Sequence, residues 1–260
     1  MKKIACYHWR SDCESLNFGE ALIPLIVGYF GYEYVPSHHG PADKPVLLSI
    51  GSELYRDYVN TAKRGHEKVV VWGQGHARGD IAGIDADIRG VRGYQTRDTL
   101  GADSFLPVGD PGFLLPMIHP VVHESQDYLL HAPHWHARRF GYVADSFNLE
   151  IINGDLLTAK IERLVYAKFV YTSSLHVAIT CIAYGVPFGL FLNRQEKANL
   201  TAKWRDVWST LVHREGRHPG QPKFFHSLHQ CRDWWVDEGC YLLPPSMDQM
   251  VAAFPHDIAY

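Results

Sequence analysis

The chain contains 260 residues, of which 46% are hydrophobic and 20% are charged. That length exceeds what one minimal domain needs and suffices for two cores of roughly 120 to 130 residues. The formal net charge is -3, and no run of lysine and arginine is dense enough to neutralise a nucleic-acid backbone, which argues against a nucleic-acid partner. The five cysteines are scattered and never occur in a C-x-x-C spacing, so the sequence predicts neither a disulfide framework nor a thiolate zinc site.

The apolar segments of the sequence are short. The most apolar one, residues 21–30, is interrupted by Pro24 and Gly28 and falls below the roughly 20 residues that a membrane-spanning helix needs. The first residues, MKKIACYHWRSD, lack the apolar region of a signal peptide. We therefore expect a cytoplasmic protein that associates peripherally with the inner face of a membrane only through its substrate.

Short β-branched or aromatic runs alternate with longer amphipathic segments, which is the pattern of βα units around a parallel sheet. In the first half, the predicted strands are 3–8, 46–50, 68–72 and 87–91, and the predicted helices are 19–29, 54–63 and 95–100. A segment rich in proline and histidine, 116–124, is predicted to connect two domains, 1–120 and 121–260. In the second half, the predicted strands are 128–132, 149–152, 168–171 and 188–192, and the predicted helices are 155–166, 174–184 and 247–254.

The most informative segment runs from a buried-type strand directly into a helix that opens with Ser173, Ser174, Leu175 and His176. Hydroxyl side chains are preferred at a helix start, where the free amides and the positive dipole end suit a phosphate or a carboxylate. In open α/β sheets, ligands bind at this carboxyl edge of the strands. The alternative is that the serines only cap the helix and that His176 is an ordinary surface histidine.

Two further segments combine glycine with polar residues near the end of a predicted strand: Asn17, Gly19 and Glu20 in the first, and Gly73, Gln74 and Gly75 in the second. In the first segment, glycine would let the backbone approach a ligand and the glutamate would orient a sugar hydroxyl. In the second, the amides of a glycine pair could face an anion. A capping turn with an acidic residue in the first helical turn is the alternative for the first segment, and a two-glycine turn is weak evidence for a site.

Arginines near the predicted strand 87–91 are candidates for binding an anionic ligand. Arg92 follows the strand and precedes a glycine, which makes it a better candidate than Arg89 or Arg97, whose charges are typical of solvated positions. Asp110 lies in a G-D-P-G turn, where its carboxylate is expected to cap neighbouring amides rather than to catalyse.

Histidines are frequent in the middle of the chain, at His119, His123, His131, His134 and His136. They lack H-E-x-x-H or a comparable spacing, so the sequence predicts no metal site. His134, which follows a proline at a strand end, is instead predicted to line the active site. Tryptophans that could stack on sugar rings are Trp204, Trp208, Trp234 and Trp235, although tryptophans at helical spacing are more often core residues.

Together these segments resemble the polysaccharide pyruvyltransferase family. Four family motifs occur in order: an N-x-G-D-like start at 17–20, V-R-G with T-R at 91–97, a G-D-P turn at 109–115, and S-x-L-H leading to Y-G-V-P at 173–187. The S-S-L-H helix start and the A-A-F-P sequence at 252–255 are most similar to the xanthan-type ketal pyruvyltransferase. Two positions depart from the family pattern, since Glu20 replaces aspartate and Ser174 stands where many members have arginine. A donor-binding cation must then come from elsewhere, for which Arg92 and Lys203 are the candidates.

The resemblance implies two Rossmann-like domains in a GT-B-like arrangement, with the active site in the interdomain cleft. It implies an enzyme that transfers the enolpyruvyl group of phosphoenolpyruvate onto a glycan or lipid-linked oligosaccharide of a surface polysaccharide, forming a pyruvate ketal with no metal or other cofactor. The expected catalytic residues are His176, Glu20 and His134. The expected substrate-binding residues are Asn17, Gly19, Gly73, Gln74, Gly75, Arg92, Ser173, Ser174, Leu175 and Lys203.

Two other functions stay open on sequence alone. A GT-B glycosyltransferase is the main alternative, because a two-lobed cleft and helix N-termini would serve the diphosphate of a nucleotide-sugar equally well. A catalytically inactive binding protein of an export complex is the other. Stabilisation by phosphoenolpyruvate but not by UDP- or GDP-sugars would favour the pyruvyltransferase over the glycosyltransferase, because a ligand stabilises the folded state that binds it.

Overall fold

The first half of the chain forms a five-stranded parallel sheet in the computed structural model, which describes residues 1–8, 17–122, 124–134, 154–192 and 201–260. The strands are β1 (Lys3–Cys6), β2 (Glu33–Pro36), β3 (Val46–Leu48), β4 (Val69–Gln74) and β5 (Asp87–Val91), in the order β2-β1-β3-β4-β5. The strands β3 and β4 are buried along their whole length, as expected for central strands of a parallel sheet that is covered on both faces. The strand order reverses at β1, so the carboxyl ends of β1 and β3 border the crevice where ligands bind in such sheets.

The second half contains a three-stranded parallel sheet. Its strands are β6 (Gln126–Ala132), β7 (Ala167–Thr172) and β8 (Phe188–Leu190), in the order β6-β7-β8. Two short antiparallel strands, β9 (Val212–His213) and β10 (Leu242–Leu243), pair with each other. Parallel sheets interleaved with helices confirm the predicted mixed α/β class. The division into Rossmann-like domains at 1–120 and 121–260 stays a prediction.

The helices are α1 (Phe18–Ala21), α2 (Ile23–Tyr29), α3 (Arg56–Lys63), α4 (Tyr94–Thr99), α5 (Leu115–Ile118), α6 (Gly154–Val165), α7 (Leu175–Tyr184), α8 (Thr201–Trp208), α9 (Leu228–Asp237) and α10 (Asp248–Ala252). The predicted helix 19–29 is divided in two, because Leu22 separates α1 from α2 and Pro24 occupies the first turn of α2, where proline is tolerated. Gly185 ends α7 in the left-handed conformation (φ 71°) that favours glycine at this position.

Several elements escape the sequence analysis, namely β2, β9, β10, α5, α8 and α9. The strand β2 lies at the sheet edge, is partly exposed, and contains a glutamate and a proline, so its sequence lacks the apolar alternation of an internal strand. The predicted strand 149–152 lies outside the described residues.

One hydrophobic cluster includes buried side chains from both halves of the chain, among them Leu47 and Trp72 from the first sheet and Val170 and Val177 from the second half. The helix α7 is buried over its first eight residues and packs against a short 3-10 helix, Pro111–Leu114, that follows the first sheet. Packing around α7 therefore joins the start of this helix to elements of the first half.

The C-terminal segment returns to the first sheet. The backbones of Tyr260 and Lys3 exchange two hydrogen bonds, with N–O distances of 2.8 and 3.0 Å. The ring of Phe254 stacks on Phe30 with centroids 3.7 Å apart, and the indole nitrogen of Trp72 donates to the Met250 carbonyl (2.8 Å). The last residues of the chain thus complete the covering of the first sheet.

Candidate active site

The carboxyl ends of both parallel sheets carry the residues that the sequence motifs select. The strand β4 ends at Gln74, β5 is followed by Arg92, and β7 leads through Ser173 and Ser174 into α7. Ligands bind at this edge of open α/β sheets. A substrate site is therefore expected here.

Hydroxyl side chains fasten the turn between β7 and α7. The Thr172 hydroxyl donates to the Ala132 carbonyl (2.7 Å) and accepts from the Ser174 amide (2.9 Å). The buried Ser173 hydroxyl accepts from the His134 amide (2.8 Å) and so links the ends of β6 and β7. These bonds fix the start of α7 relative to its own sheet.

The first turn of α7 keeps its backbone donors available. Ser174 is the N-cap residue, yet no side chain caps the helix. In the described part of the chain, the amides of Leu175, His176 and Val177 have no acceptor, and the half-buried Ser174 hydroxyl has no partner. Free amides and the positive end of the helix dipole favour a phosphate or a carboxylate at this point.

His176 is the point where three segments that are distant in the sequence meet. Its Nε2 lies 3.4 Å from Oδ2 of Asp110, a carboxylate with no exposed surface. The other Asp110 oxygen accepts from the Gly112 amide (2.9 Å), as predicted for a capping carboxylate. A Cβ atom at Gly19 would lie 2.1 Å from Nδ1 of the imidazole, so only glycine leaves room for the ring. The segments 17–20, 109–112 and 173–176 therefore form one structural unit around a buried imidazole.

Asn17 caps the short helix α1. Its Oδ1 accepts from the amides of Gly19 (2.9 Å) and Glu20 (3.3 Å), which is the capping alternative left open by the sequence. Glu20 is buried, with 7% of its surface exposed, and its charge acts on Lys203. The structure thus gives Asn17 a capping role and puts Glu20 in the neighbourhood of a lysine.

The glycines that end β4 serve close packing. Gly73 has a φ of 88°, and a Cβ atom there would lie 2.3 Å from the proline of the G-D-P turn. A Cβ atom at Gly75 would lie 2.1 Å from the guanidinium carbon of Arg92, and the Gly75 amide donates to the Gly51 carbonyl (2.9 Å). The buried Gln74 amide, in the orientation that its neighbours require, donates to two carbonyls of the loop after β3 (2.7 and 3.1 Å). The observed contacts of this segment are packing and hydrogen bonds within the protein. The binding of an anion by its amides stays a prediction.

Arg92 is buried with no exposed surface, and its partners are internal. Its Nε donates to Oδ2 of Asp206 (2.9 Å), and its Nη1 donates to the Gly51 carbonyl (3.0 Å) and to the Ser52 hydroxyl. A Cβ atom at Gly93 would lie 2.1 Å from the Asp206 carbonyl oxygen, so α8 approaches the backbone closely at this glycine. The V-R-G sequence therefore holds α8 against the first sheet. The ligand contact that the sequence predicted for Arg92 stays a prediction, while the observed partners of its guanidinium are groups of the protein itself.

Comparison with known proteins identifies the family. The family model described as polysaccharide pyruvyl transferase matches residues 50–194, which is more than half of the chain. The chain belongs to this polysaccharide pyruvyl transferase family. It is a pyruvyltransferase enzyme that acts in polysaccharide pyruvylation, which confirms the resemblance carried by the motifs.

The fold of this pyruvyltransferase has a counterpart among solved structures. The crystal structure of an uncharacterised protein from Klebsiella pneumoniae subsp. pneumoniae NTUH-K2044 matches it with a TM-score of 0.51 and 16% sequence identity, over 79% of this chain and 87% of that one. At that identity the likeness concerns the fold alone. No protein of curated function matches the chain significantly. Within the described residues, every helix is too short or too polar for a membrane span.

The family match covers part of the candidate site of the pyruvyltransferase. Arg92, Asp110 and His176 lie inside the matched residues, whereas Glu20 and Lys203 lie outside them. Family membership favours pyruvyl transfer over the two alternatives, a glycosyltransferase and an inactive binding protein.

Lys203 lies on α8 of the pyruvyltransferase, three residues before Asp206. Burial lowers the pKa of Lys203 to about 8, the positive charge of Arg92 lowers it as well, and the carboxylates of Glu20 and Glu53 oppose both effects. Its ammonium has no hydrogen-bond acceptor among the residues that the structure describes. Lys203 is thus a half-buried cation that senses the charge of Glu20, the residue that follows Gly19.

The other histidines lie in different surroundings. His134 is half-buried at the carboxyl end of β6, beside Ser173. His119 pairs with Glu162 (3.1 Å), and burial lowers the pKa of His131 to about 4. Two candidates, His123 and His136, lie outside the described residues.

The tryptophans of the pyruvyltransferase belong mainly to its core. Trp204, Trp208 and Trp234 are buried, and Trp235 is half-buried against the same cluster. This placement agrees with the core alternative for helically spaced tryptophans.

The sequence analysis did not identify two carboxylates, those of Asp110 and Asp206, as parts of the site. Asp110 is predicted as a turn residue, and its contact with His176 appears only when the chain is folded. Asp206 carries no local signal, because it stands among tryptophans in a short amphipathic segment. The G-D-P turn just beyond the first sheet was the one available indication for Asp110.

Proposed function

We propose that this pyruvyltransferase uses phosphoenolpyruvate as its donor and forms a cyclic pyruvate ketal on a sugar of a glycan or lipid-linked oligosaccharide acceptor. One observation carries this proposal. Gly19 and Asp110 contact the imidazole of His176 at the point where the first turn of α7 leaves its backbone amides without acceptors among the described residues. Phosphoenolpyruvate bears a phosphate and a carboxylate, and a helix start with free amides suits either group. The proposal involves no metal or other cofactor.

Ketal formation requires a proton source, a proton acceptor and an anion site. A proton is added to the methylene carbon of the donor, which becomes a methyl group and leaves an oxocarbenium-like carbon. Two sugar hydroxyls then bond to that carbon, each losing its proton, while the bond to the phosphate oxygen breaks and phosphate departs. Hydrogen-bond donors that the protein holds at the point where charge develops lower the free-energy barrier of such steps.

The residues of the site have distinct parts in this scheme. The amides of the first turn of α7 and the imidazole of His176 bind the anionic groups of the donor. Glu20 or His134 exchanges protons with the sugar hydroxyls. Ser173 acts indirectly, because its hydroxyl fixes the loop that carries His134.

We also propose that the two parallel sheets belong to two Rossmann-like domains in a GT-B-like arrangement, with the donor bound between them. The contacts of His176, which follows β7, with Gly19 and Asp110 of the first half support this geometry. We propose that the reaction takes place in the cytoplasm, where the enzyme would encounter a lipid-linked acceptor at the inner face of the membrane. In crystals soaked with phosphoenolpyruvate, density for the donor is expected at the start of α7, and an empty gap there would contradict the proposed binding mode.

Incubation with candidate acceptors tests the donor and the product. The protein, phosphoenolpyruvate and acceptor glycans are combined, released phosphate is measured, and the glycans are analysed by mass spectrometry for an added pyruvate ketal. Thermal stability is measured in parallel with phosphoenolpyruvate, UDP-sugars and GDP-sugars. Stabilisation by phosphoenolpyruvate alone is expected, and stabilisation only by a nucleotide-sugar would contradict the choice of donor.

Replacing His176 by alanine tests the residue at the centre of the site. Turnover should fall by roughly 100-fold or more, because the imidazole would no longer hold the anionic groups of the donor where charge develops. Steady-state phosphate release measures the effect, and circular dichroism checks the fold. His229→Ala is the matched control, since that side chain is 84% exposed and lies on α9. Near-normal turnover of the His176→Ala variant would remove this residue from the mechanism.

A further inference from the structure

The helix α8 is fixed by contacts within the protein. Trp204, Val207 and Trp208 are buried in the main hydrophobic cluster. Asp206 is buried and accepts from Arg92, from the amide of Thr96 (2.8 Å) and from the Thr96 hydroxyl (2.7 Å). The helix therefore has a defined position at the carboxyl end of β5, independent of any ligand.

This position carries Lys203 toward three charged groups from three other elements. Residues three apart are neighbours on a helix surface, so Lys203 adjoins the buried Asp206–Arg92 pair. Glu20 approaches from α1 and Glu53 from the loop after β3, and both act on the lysine charge. Glu53 already accepts three hydrogen bonds from Arg78 (3.0, 3.1 and 3.2 Å), and Arg92 donates to Asp206.

The ammonium of Lys203 is left incompletely satisfied by this arrangement. It is partly withdrawn from water, and within the described parts of the chain it has no hydrogen-bond acceptor. Withdrawing an ammonium from water without such partners costs free energy, which a bound anion would recover. The first turn of α7 offers amides for an anion, and the side chain of its N-cap residue, Ser174, is neutral.

We propose that Lys203 binds an anionic group of the donor and that Arg92 is a positioning residue that holds α8, and with it Lys203, in place. This inference rests on the proposed function. An ammonium is a compact charge with three donors, and it can pair with a phosphate or a carboxylate without the planar geometry of a guanidinium. The helix α7 and the helix α8 then bind the donor from two directions.

The variants Lys203→Gln and Lys203→Arg, with Arg205→Gln as control, test this assignment. Arg205 is exposed on the same helix, so its replacement removes one positive charge without touching the buried groups. The value of kcat/KM for phosphoenolpyruvate should fall about 10- to 100-fold in Lys203→Gln, because a charge-assisted hydrogen bond is lost, and it should stay within about twofold in Arg205→Gln. The Lys203→Arg variant should recover part of the loss.

The pH profile gives a second, independent measure. Above about pH 7 the phosphate of the donor is fully ionised, so a fall in kcat/KM at higher pH reports a group on the free enzyme. Wild-type kcat/KM should fall above a pH of about 8, as Lys203 loses its proton. In Lys203→Arg this fall should disappear, because a guanidinium stays protonated.

The outcomes separate the two proposals. If phosphoenolpyruvate neither stabilises the wild-type protein nor yields phosphate, the proposed donor is wrong and the assignment of Lys203 fails with it. If the wild-type protein uses phosphoenolpyruvate but Lys203→Gln keeps the wild-type kcat/KM, or Lys203→Arg keeps the fall above a pH of about 8, only the assignment of Lys203 is overturned.

Discussion

At the scale of single residues, the site depends on a glycine, Gly19, whose lack of a Cβ atom leaves room for another side chain. The sequence predicts that Gly19 lets the backbone approach a ligand. In the structure Gly19 admits the imidazole of His176, which occupies the space that a Cβ atom would need. The motif that contains Gly19 therefore requires a glycine because the histidine of the other motif fills the space beside it.

Replacing Gly19 by alanine should disturb the imidazole directly. The new methyl group would overlap Nδ1 and Cγ of His176, at 2.1 and 2.5 Å, so the ring must move away from Asp110. We expect kcat to fall about tenfold or more, because a shift of about 1 Å in a group that positions the substrate is costly. Steady-state phosphate release is the measurement.

Gly28→Ala is the matched control for this substitution. A Cβ atom at Gly28 would have no neighbour within 4 Å, and the residue lies in α2. Its replacement should keep the activity and stabilise the helix by about 0.5 to 1 kcal/mol. Equal activity of the two variants would show that the position of the His176 ring does not matter.

Local chemistry made some of these residues predictable. A strand that runs through hydroxyl residues directly into a helix is a local sequence pattern, so Ser173, Ser174 and His176 stand out from the sequence alone. The contact of Asp110 with His176 is made by tertiary packing and has no local signature. The same holds for Arg92, whose partner Asp206 is distant in the sequence.

At the scale of elements, the V-R-G segment and α8 form a unit. Arg92 and Asp206 are a buried ion pair, and Asp206 also accepts from the backbone and the hydroxyl of Thr96 at the start of α4. Burying two charges is costly, and breaking such a pair by removing one member leaves the other without compensation. The pair therefore specifies where α8 lies more than it adds to stability.

Single and double substitutions of this pair test that view. Arg92→Met and Asp206→Leu should each lower the free energy of unfolding by about 3 to 5 kcal/mol, whereas the double variant should lose less than the sum, because no charge is left unpaired. Urea unfolding of the four proteins gives the coupling energy. Additive losses would show that the two residues do not act as a pair.

At the scale of the whole molecule, the C-terminal segment packs against the first sheet. The segment after α10 pairs with β1 through Lys3 and packs Phe254 against Phe30 and Trp72. The C-terminal residues thus cover the first sheet although they follow the second sheet in the chain. Any division of the chain into units must account for this return.

Replacing Phe254 by alanine should destabilise the first sheet. The ring is buried in the main cluster, and a large-to-small change of this kind costs about 3 to 5 kcal/mol. The control Val236→Ala changes a side chain that is 68% exposed and should stay within about 0.5 kcal/mol of the wild type. Thermal and urea unfolding measure both, and a Phe254 variant as stable as the control would contradict the structural role of the C-terminal segment.

The sequence by itself determined the α/β class, the helix start at Ser174 and the family, because apolar periodicity, capping residues and short motifs are local properties of a chain. It did not determine which side chains meet. Only the tertiary structure placed Asp110 and Gly19 against His176, enclosed Arg92 with Asp206, and brought Lys203 within range of the charge of Glu20. The physical reason is that the burial and pairing of charged groups depend on contacts between elements distant in the sequence, which no local pattern encodes.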